Sequence, residues 1–565
     1  MEKLIVPGTN LADIKRIAYK YAIKNCFEHE KADMGAVVGK VKAIFPQAII
    51  GQIIPVIKEV VKEVNKINKK KLEDEYNLFN DAGWELKHIE KEKTLPELNW
   101  LKKGEKIITR AAPCPTGPMH FGHARPYILL DEYVKKYGGK YILRFDDTDP
   151  KIKIPEEGIE QEFQNDFEWL GIKTHEIKRQ SDNIEKYLKI IEILIAEEKA
   201  YVCFCKSEEW REKIWNSEPC ECRNKNAREQ IKNWKKMLKH ELKEGSCVVR
   251  LKTDLNDKDP SMRDWWMAKI VDDPTKHPNK KTHKYHVWPS YNLASPIDDH
   301  EMKINFIIRG QEHIQNEKKQ RQLCDYFNWE HPKTLYHGKI TKVGDMVLSK
   351  SKIKILMEKE GLERNDDPRL ATIKSFRRRG FKPETIRQVI LNIGLNTNDA
   401  KIDLVNFGAI NKKFVGEPKN FPFIEDGIEI ELNNCISGKI NVNGQEIRID
   451  SPIQKFIVDK KEFKNIKVGE IIRFKEGFNV KIEEKNEYNI KASFISYEKT
   501  GYKTINWLKE KTDVKILMSD GKEIIGFTNP LIKKEKENTI ILFNGIGYAR
   551  IEKNGEETYC IFAHE

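Results

Sequence analysis

Three prolines and one glycine fall within the six residues Pro113-Cys114-Pro115-Thr116-Gly117-Pro118. They forbid regular structure there and make a stiff loop. Before the loop stands the short apolar pair Ile107-Ile108, as in a buried parallel strand. After it a helical pattern runs from His120 through Ala124, Ile128, Leu129 and Tyr133, and stops at Gly138-Gly139. Tyr141-Ile142-Leu143 then predicts a second strand. The unit is strand, loop, helix, strand, the opening of a doubly wound nucleotide-binding sheet.

Ligands of such sheets bind beyond the carboxyl ends of the strands, where a helix N-terminus attracts phosphate. His120 and His123 are three apart and share a face of the first turn, and Gly122 leaves room for a flat ring. Two imidazoles there can donate to phosphate oxygens as charge builds on them. A His pair that merely caps the helix reads equally well from this segment alone. Downstream, Met346-Val347-Leu348-Ser349-Lys350-Ser351-Lys352 is a polar, basic loop, and a lysine on a mobile loop can close on a leaving pyrophosphate.

These motifs carry a family resemblance. Pro-Cys-Pro-Thr-Gly-Pro-Met-His-Phe-Gly-His is similar to the His-Ile-Gly-His signature of class I aminoacyl-tRNA synthetases. Leu-Ser-Lys-Ser resembles their Lys-Met-Ser-Lys-Ser loop. The Pro-x-Pro-Thr-Gly lead-in and Arg-Phe-Asp-Asp-Thr-Asp resemble the glutamyl enzymes of archaeal and eukaryotic type, from about Asn99 to Asn411. Glutaminyl enzymes usually carry Pro-Asn-Gly where this chain has Pro115-Thr116-Gly117. The resemblance implies an α/β multidomain chain with a Rossmann-type catalytic domain. It also implies an inserted domain that binds the tRNA acceptor end, a helical appendage before the core, and C-terminal all-β barrels that read the anticodon. The boundaries expected are 1–98 for the appendage, 99–200 and 285–345 for the sheet halves, and 201–284 for the insert. The signature loop and stem-contact region are expected at 346–415, and the barrels at 416–565.

Charge argues for the substrate. Carboxylates call for arginine forks and an ammonium for a carboxylate. Arg110 ends the first strand, Asp146 follows the second, and Arg309 ends the apolar run Phe306-Ile307-Ile308. The resemblance implies that Arg110 and Tyr291 contact the amino-acid side chain, that Asp146 takes the ammonium, and that Arg309 belongs to the same pocket. Cys114 stands where serine is usual, and Ser295 where bacterial enzymes have asparagine; both are expected at the substrate. ATP is expected against Pro113, Thr116, Gly117, His120, Gly122, His123, Arg309, Gly310, Ser349 and Lys350, with magnesium. Val347 replaces the first lysine of the mobile loop, so Lys350 carries the phosphate contact, and His120, His123 and Lys350 are the expected catalytic groups.

Cys203, Cys205, Cys220 and Cys222 form two Cys-x-Cys pairs. Four soft ligands suit a structural zinc, with each pair on one face of a strand; four reduced thiols are the alternative. Arg263-Asp264-Trp265-Trp266 reads as core or as a base-stacking surface. Arg377-Arg378-Arg379-Gly380 fits phosphate contact along the tRNA, and equally a helix C-terminus. Before Pro96, Val56, Val60, Val61, Val64 and Ile67 form a helical apolar stripe; Lys40, Lys42, Lys58, Lys62 and Lys69-Lys70-Lys71 supply a solvated face or an RNA contact. Beyond Asn420, alternating runs and turns at Asn443-Gly444, Asp520-Gly521 and Asn554-Gly555 predict two small barrels.

The 565 residues give ample core, and a formal charge of +13 suits a polyanionic partner. No apolar run approaches membrane-spanning length, the opening residues do not read as a signal peptide, and ten cysteines do not suggest a secreted framework. A cytoplasmic monomer is expected. Glutamate and tRNA(Glu) are the partners implied, and a non-discriminating form that also charges tRNA(Gln) with glutamate is an alternative. A glutaminyl enzyme, a non-catalytic RNA-binding scaffold and a metabolite nucleotidyltransferase stand as the other readings; the last would not need the barrels.

Overall fold

The computed structural model describes residues 11–45, 50–81, 95–362, 364–442, 445–486, 489–499 and 501–565. The chain forms two compact units, Met1–Lys93 and Thr94–Glu565. In the first, helices Leu11–His29, Met34–Ile44, Ile50–Val64 and Lys69–Asp81 enclose their own core. The predicted stripe is the buried face of the third helix, where Ile53, Ile57, Val60, Val61 and Val64 cluster with Ile14, Ile17, Ile23 and Val41. Lys40, Lys58, Lys62 and Lys69-Lys70-Lys71 are exposed, as a solvated face requires.

The second unit is built on parallel strands. Ile107–Ala111 pairs with Gly139–Phe145, which pairs with Glu176–Arg179. Phe306–Gly310 pairs with Lys333–His337. The halves meet through Asn305. Its N–H donates to the Ile108 carbonyl at 3.0 Å, and its side-chain oxygen accepts the Ile108 N–H at 2.9 Å. The order in space therefore reverses between Ile107–Ala111 and Phe306–Gly310, and that reversal point opens the ligand crevice at the strands' carboxyl ends. Arg110 and Arg309 are the penultimate residues of these two strands.

The expected helix forms as Phe121–Tyr137 and ends at Gly138, whose φ of 70° needs no Cβ. A Cβ on Gly139 would overlap the Ile107 carbonyl, so the close strand pairing requires glycine. Helix Ile159–Trp169 packs on the sheet through Ile159, Phe163 and Phe167.

Two expectations fail just beyond it. Helix Ile184–Ala196, which falls within the range 99–200 expected for the first sheet half, buries Ile184, Leu188, Ile191 and Ile195 with Trp234, Val249 and Trp288 of the insert instead. The sheet does not resume at Tyr285 to Tyr291. Val287–Pro289 pairs antiparallel with Trp266–Ile270 and completes a four-stranded inserted sheet with Ala200–Cys203 and Val248–Leu251. A short apolar run cannot declare which of two neighbouring sheets it joins.

The C-terminal strands form two barrel-like sheets. The six-stranded one begins at Asn420–Phe421, and Ile424 then pairs with Phe527 of its last strand, Glu523–Thr528. The seven-stranded one starts and ends on the adjacent segments Thr504–Ile505 and Trp507–Leu508, so one kinked strand joins both edges. At the kink, the N–H and side-chain amide of Asn506 donate to Glu462. Asp520-Gly521 sits between paired strands as expected, Asn554-Gly555 turns from the last residue of strand Gly547–Asn554 into its partner Thr558–His564, and Asn443-Gly444 lies outside the described residues.

The arginine triplet ends helix Ile373–Arg379. Arg379 is buried and donates to the carbonyls of Phe562 and Ala563, while Arg378 pairs with Glu552 and Asp366. These two arginines fasten the six-stranded barrel to the catalytic region and are not turned to a phosphate. Arg377 keeps partial exposure, 3.8 Å from Asp166 and over the Trp169 ring.

Candidate active site

The signature loop is pinned by its own carbonyls. Pro113 O accepts from Asp146 N at 2.9 Å, Pro115 O from Glu156 N at 2.8 Å, and Cys114 O from Thr116 N at 2.9 Å. Prolines leave only carbonyls for this work, so Pro113 and Pro115 tie the loop to Asp146 and Glu156 while the Cys114–Thr116 bond tightens it internally. Pro113, Pro115 and Gly117 are buried and Thr116 is half-buried. Gly117 holds a φ of 137°, which a side chain would strain.

His120 is the residue before the helix, not its first turn. Its backbone N–H donates to His123 Nδ1 at 3.4 Å, and the rings stack with centroids 3.6 Å apart. A Cβ on Gly122 would stand 3.1 Å from the His120 ring, so glycine gives that imidazole its place. Capping and presentation to a ligand are thus compatible.

Backbone pairing brings the downstream loop to the same place. Phe121 N donates to Ala371 O and Ile373 N to Met119 O, both at 2.9 Å. Ala371 N in turn donates to Val347 O, and Val347 N to Arg369 O. Segment 369–373 is therefore a shared central strip between the histidine motif and the Val347-Leu348-Ser349 loop. Ser349 is exposed and precedes helix Lys350–Glu360; the Lys350 side chain lies outside the described residues.

The amino-acid end of the crevice is a buried ionic network. Arg110 donates through Nε and Nη2 to both oxygens of Asp299, at 2.9 and 3.1 Å. Arg144 donates through Nη1 to Asp299 at 2.6 Å and through Nε to Asp146 at 2.7 Å. Its Nη2 reaches Ser295 Oγ at 3.0 Å, so fully buried Ser295 acts on the crevice through Arg144. Burial opposes ionisation of Asp299, but the Arg110 and Arg144 guanidiniums win and hold its carboxyl well below the usual range.

Tyr291, Ser295 and Asp299 recur every four residues on helix Tyr291–Glu301, one stripe facing these arginines. Leu293, Ala294 and Ile297 on the other side join the core of the insert. Tyr291 also lies 6.0 Å, centroid to centroid, from His313. Burial, reinforced by Arg309 and Arg110, pulls the His313 pKa down to about 4, so the ring is neutral near pH 7.

Arg309 is buried and donates Nη1 to Gln320 at 3.1 Å; its Nε and Nη2 reach no hydrogen-bond acceptor. Gly310 beside it faces the Glu312 carboxylate, the nearest group a Cβ would meet. Arg144, Asp299, His313 and Gln320 were not assigned from sequence. Only Asp299 had a legible signal, the four-residue spacing from Tyr291 and Ser295.

In the insert, the sulfurs of Cys203, Cys205, Cys220 and Cys222 all lie within 4.8 Å of one another. Tetrahedral zinc at about 2.3 Å from each sulfur spaces them by about 3.8 Å, so the donor set and its size fit. Phe204 N–H donates to Cys222 Sγ at 3.4 Å and helps to hold that sulfur in the cluster. The expected strand geometry fails: Cys203 ends a strand, but Cys220 precedes a 3-10 turn that contains Cys222. Arg263-Asp264-Trp265-Trp266 is divided, with Trp265 in the core and Trp266 exposed. Among the described residues, no helix is long and apolar enough to cross a membrane.

Residues 106–415 match the family model for tRNA synthetases class I (E and Q), catalytic domain. The chain is 42% identical to a glutamate–tRNA ligase of Pyrococcus abyssi, over 98% of this chain and 100% of that one. It is 35% identical to a glutamate–tRNA ligase of Methanocaldococcus jannaschii, over 96% and 98%. A solved glutamate tRNA ligase from Elizabethkingia meningosepticum aligns at 21% identity and a TM-score of 0.38, over 55% of this chain and 70% of that one. With a catalytic-region match and near-full-length relatives of one kind, the chain belongs to the class I tRNA synthetases, in the family of archaeal glutamate–tRNA ligases.

Proposed function

We propose that this protein joins L-glutamate to tRNA(Glu) in two steps. The glutamate α-carboxylate attacks the α-phosphorus of ATP and pyrophosphate leaves; a hydroxyl of the terminal ribose then attacks the acyl carbon and AMP leaves. The attacking carboxylate is already ionised, so the first step needs no general base. His120 and His123 donate to the phosphates as charge develops, and Lys350 follows the leaving pyrophosphate. The carboxylates Asp146 and Asp299 are engaged by arginines, and magnesium carried by ATP as part of the substrate would offset the phosphate charge.

The observation that carries the reading is the shared strip 369–373, which joins the histidine motif to the Ser349 loop beside the crevice of Arg110 and Arg309. Two guanidiniums at adjacent strand ends suit a substrate with two carboxylates. The insert, from helix Ile184–Ala196 through strand Val287–Pro289, takes the acceptor end and the barrels the anticodon arm. Zinc bound by Cys203, Cys205, Cys220 and Cys222 would knit the insert together without taking part in chemistry. Ten cysteines, none of them in a disulfide among the described residues, suit the reducing cytoplasm.

The test is charging of separate glutamate and glutamine tRNA transcripts with labelled glutamate and labelled glutamine. Glutamate on tRNA(Glu) is the expected result, and glutamate also on tRNA(Gln) would broaden the acceptor range. Glutamine on either tRNA would overturn the pocket assignment. RNA binding without charging would make the protein a scaffold.

A further inference from the structure

The crevice holds three buried guanidiniums, and the protein treats them differently. Arg110 and Arg144 are both bonded to carboxylates, with Asp299 shared between them and Asp146 on Arg144. Arg309 has no carboxylate within ion-pair distance among the described residues; its one hydrogen-bond partner is the neutral side-chain oxygen of Gln320, 3.1 Å from Nη1. Gln320 is fully buried, and its amide nitrogen points to Asn292 Oδ1 at 3.5 Å, which orients the oxygen toward Arg309.

Nearby acids are engaged elsewhere: Asp299, close enough to feel the Arg309 charge, is held by Arg110 and Arg144. Glu317 lies one turn earlier on helix Ile314–Phe327, but it accepts from Arg321 at 2.9 and 2.6 Å and from the Tyr336 hydroxyl. His313, close enough to feel Arg309, is neutral near pH 7. Two buried donors, Nε and Nη2, are left with no acceptor. Buried donors of a charged group are costly when unmet, so an anion belongs there.

We infer that Gln320 is a positioning residue: it fixes the Arg309 guanidinium with a neutral acceptor and so keeps its whole charge and two donors for a carboxylate of the bound amino acid. This rests on the proposed function and names how one part of that pocket is kept ready. A glutamate at 320 would keep the size and reach of the side chain but would supply the missing counter-charge from the protein itself. The substrate carboxylate would then compete with a permanent internal partner.

Steady-state charging of tRNA(Glu) by full-length wild type, Gln320→Glu and Gln320→Met tests this. For Gln320→Glu the expected result is a glutamate KM raised about 30-fold, with kcat at saturating glutamate and the KM values for ATP and tRNA changed less than about threefold. Thermal stability should be equal or higher, since the buried cation gains a partner. Gln320→Met, which lets Arg309 move without neutralising it, should raise the glutamate KM about fivefold and keeps the test alive if the acidic variant fails to fold. An unchanged glutamate KM in either variant, or equal losses for glutamate, ATP and tRNA, would overturn the inference. If the wild type itself does not charge glutamate, the functional reading fails and the role of Gln320 is not what failed.

Discussion

Arginines cluster in two regions of the catalytic unit, and the fold uses them in opposite ways. In the triplet, Arg378 and Arg379 are bonded to the barrel and Arg377 leans on Trp169. In the crevice, Arg110 and Arg144 balance Asp299, and Arg309 keeps two donors unused. A guanidinium at the end of a parallel strand opens onto the crevice, whereas one at the end of a helix under another domain meets that domain's carbonyls. Position relative to the layers, not residue type or clustering, separates a binding arginine from a joining one.

The sharpest way to break this contrast is Arg379→Met. It leaves the Phe562 and Ala563 carbonyls unmet at a buried joint, and should cost about 4 kcal/mol in urea unfolding. Asp299→Ala should follow at about 3 kcal/mol, because it strands two buried guanidiniums; a stable variant would mean that water or a rearranged Asp146 takes over.

Arg309→Met should invert the pattern. Its stability should match or exceed wild type, while the glutamate KM rises about 100-fold, equivalent to about 2.7 kcal/mol of lost binding. A large loss of stability would place Arg309 with the joining arginines.

Asp166 tests the triplet through pH. Burial, only partly offset by Arg377, raises its pKa to about 7, and neither of its oxygens accepts a hydrogen bond. A raised native pKa means that the native state binds the proton more tightly than the unfolded chain. Its stabilising contribution is therefore complete below about pH 4 and is lost as pH rises through about 7. Asp166→Asn should raise stability by about 2 kcal/mol at pH 8 and by much less at pH 5, read by thermal unfolding at both.

Arg377→Ala should have the smallest effect on folding, within about 0.5 kcal/mol, since the side chain is partly exposed. If it alone of the triplet meets RNA, the salt dependence of tRNA binding should fall by about one charge.

The crevice's framework was legible because it rests on chain-local rules. Prolines forced the loop, paired glycines ended the helix, and apolar runs with an arginine at their end marked strands entering the crevice. The pairing of Met119–Phe121 with segment 371–373 was not legible, because main-chain hydrogen bonds between distant segments carry no side-chain signature. The roles of Arg144 and Gln320 were hidden for a related reason: each is set by partners up to 155 residues away, at Asp299 for one and Asn292 for the other.

The sequence by itself determined the order of elements, the stiff phosphate-facing loop, the four-cysteine set and the strand-rich tail, since each follows from local backbone preference or residue chemistry. Tertiary structure decided which sheet Val287–Pro289 joined, which core helix Ile184–Ala196 entered, and which arginines were left for a ligand. Those outcomes depend on what lies across the interface, and the free energy of a buried charge is set by its neighbours in space, which sequence order does not reveal.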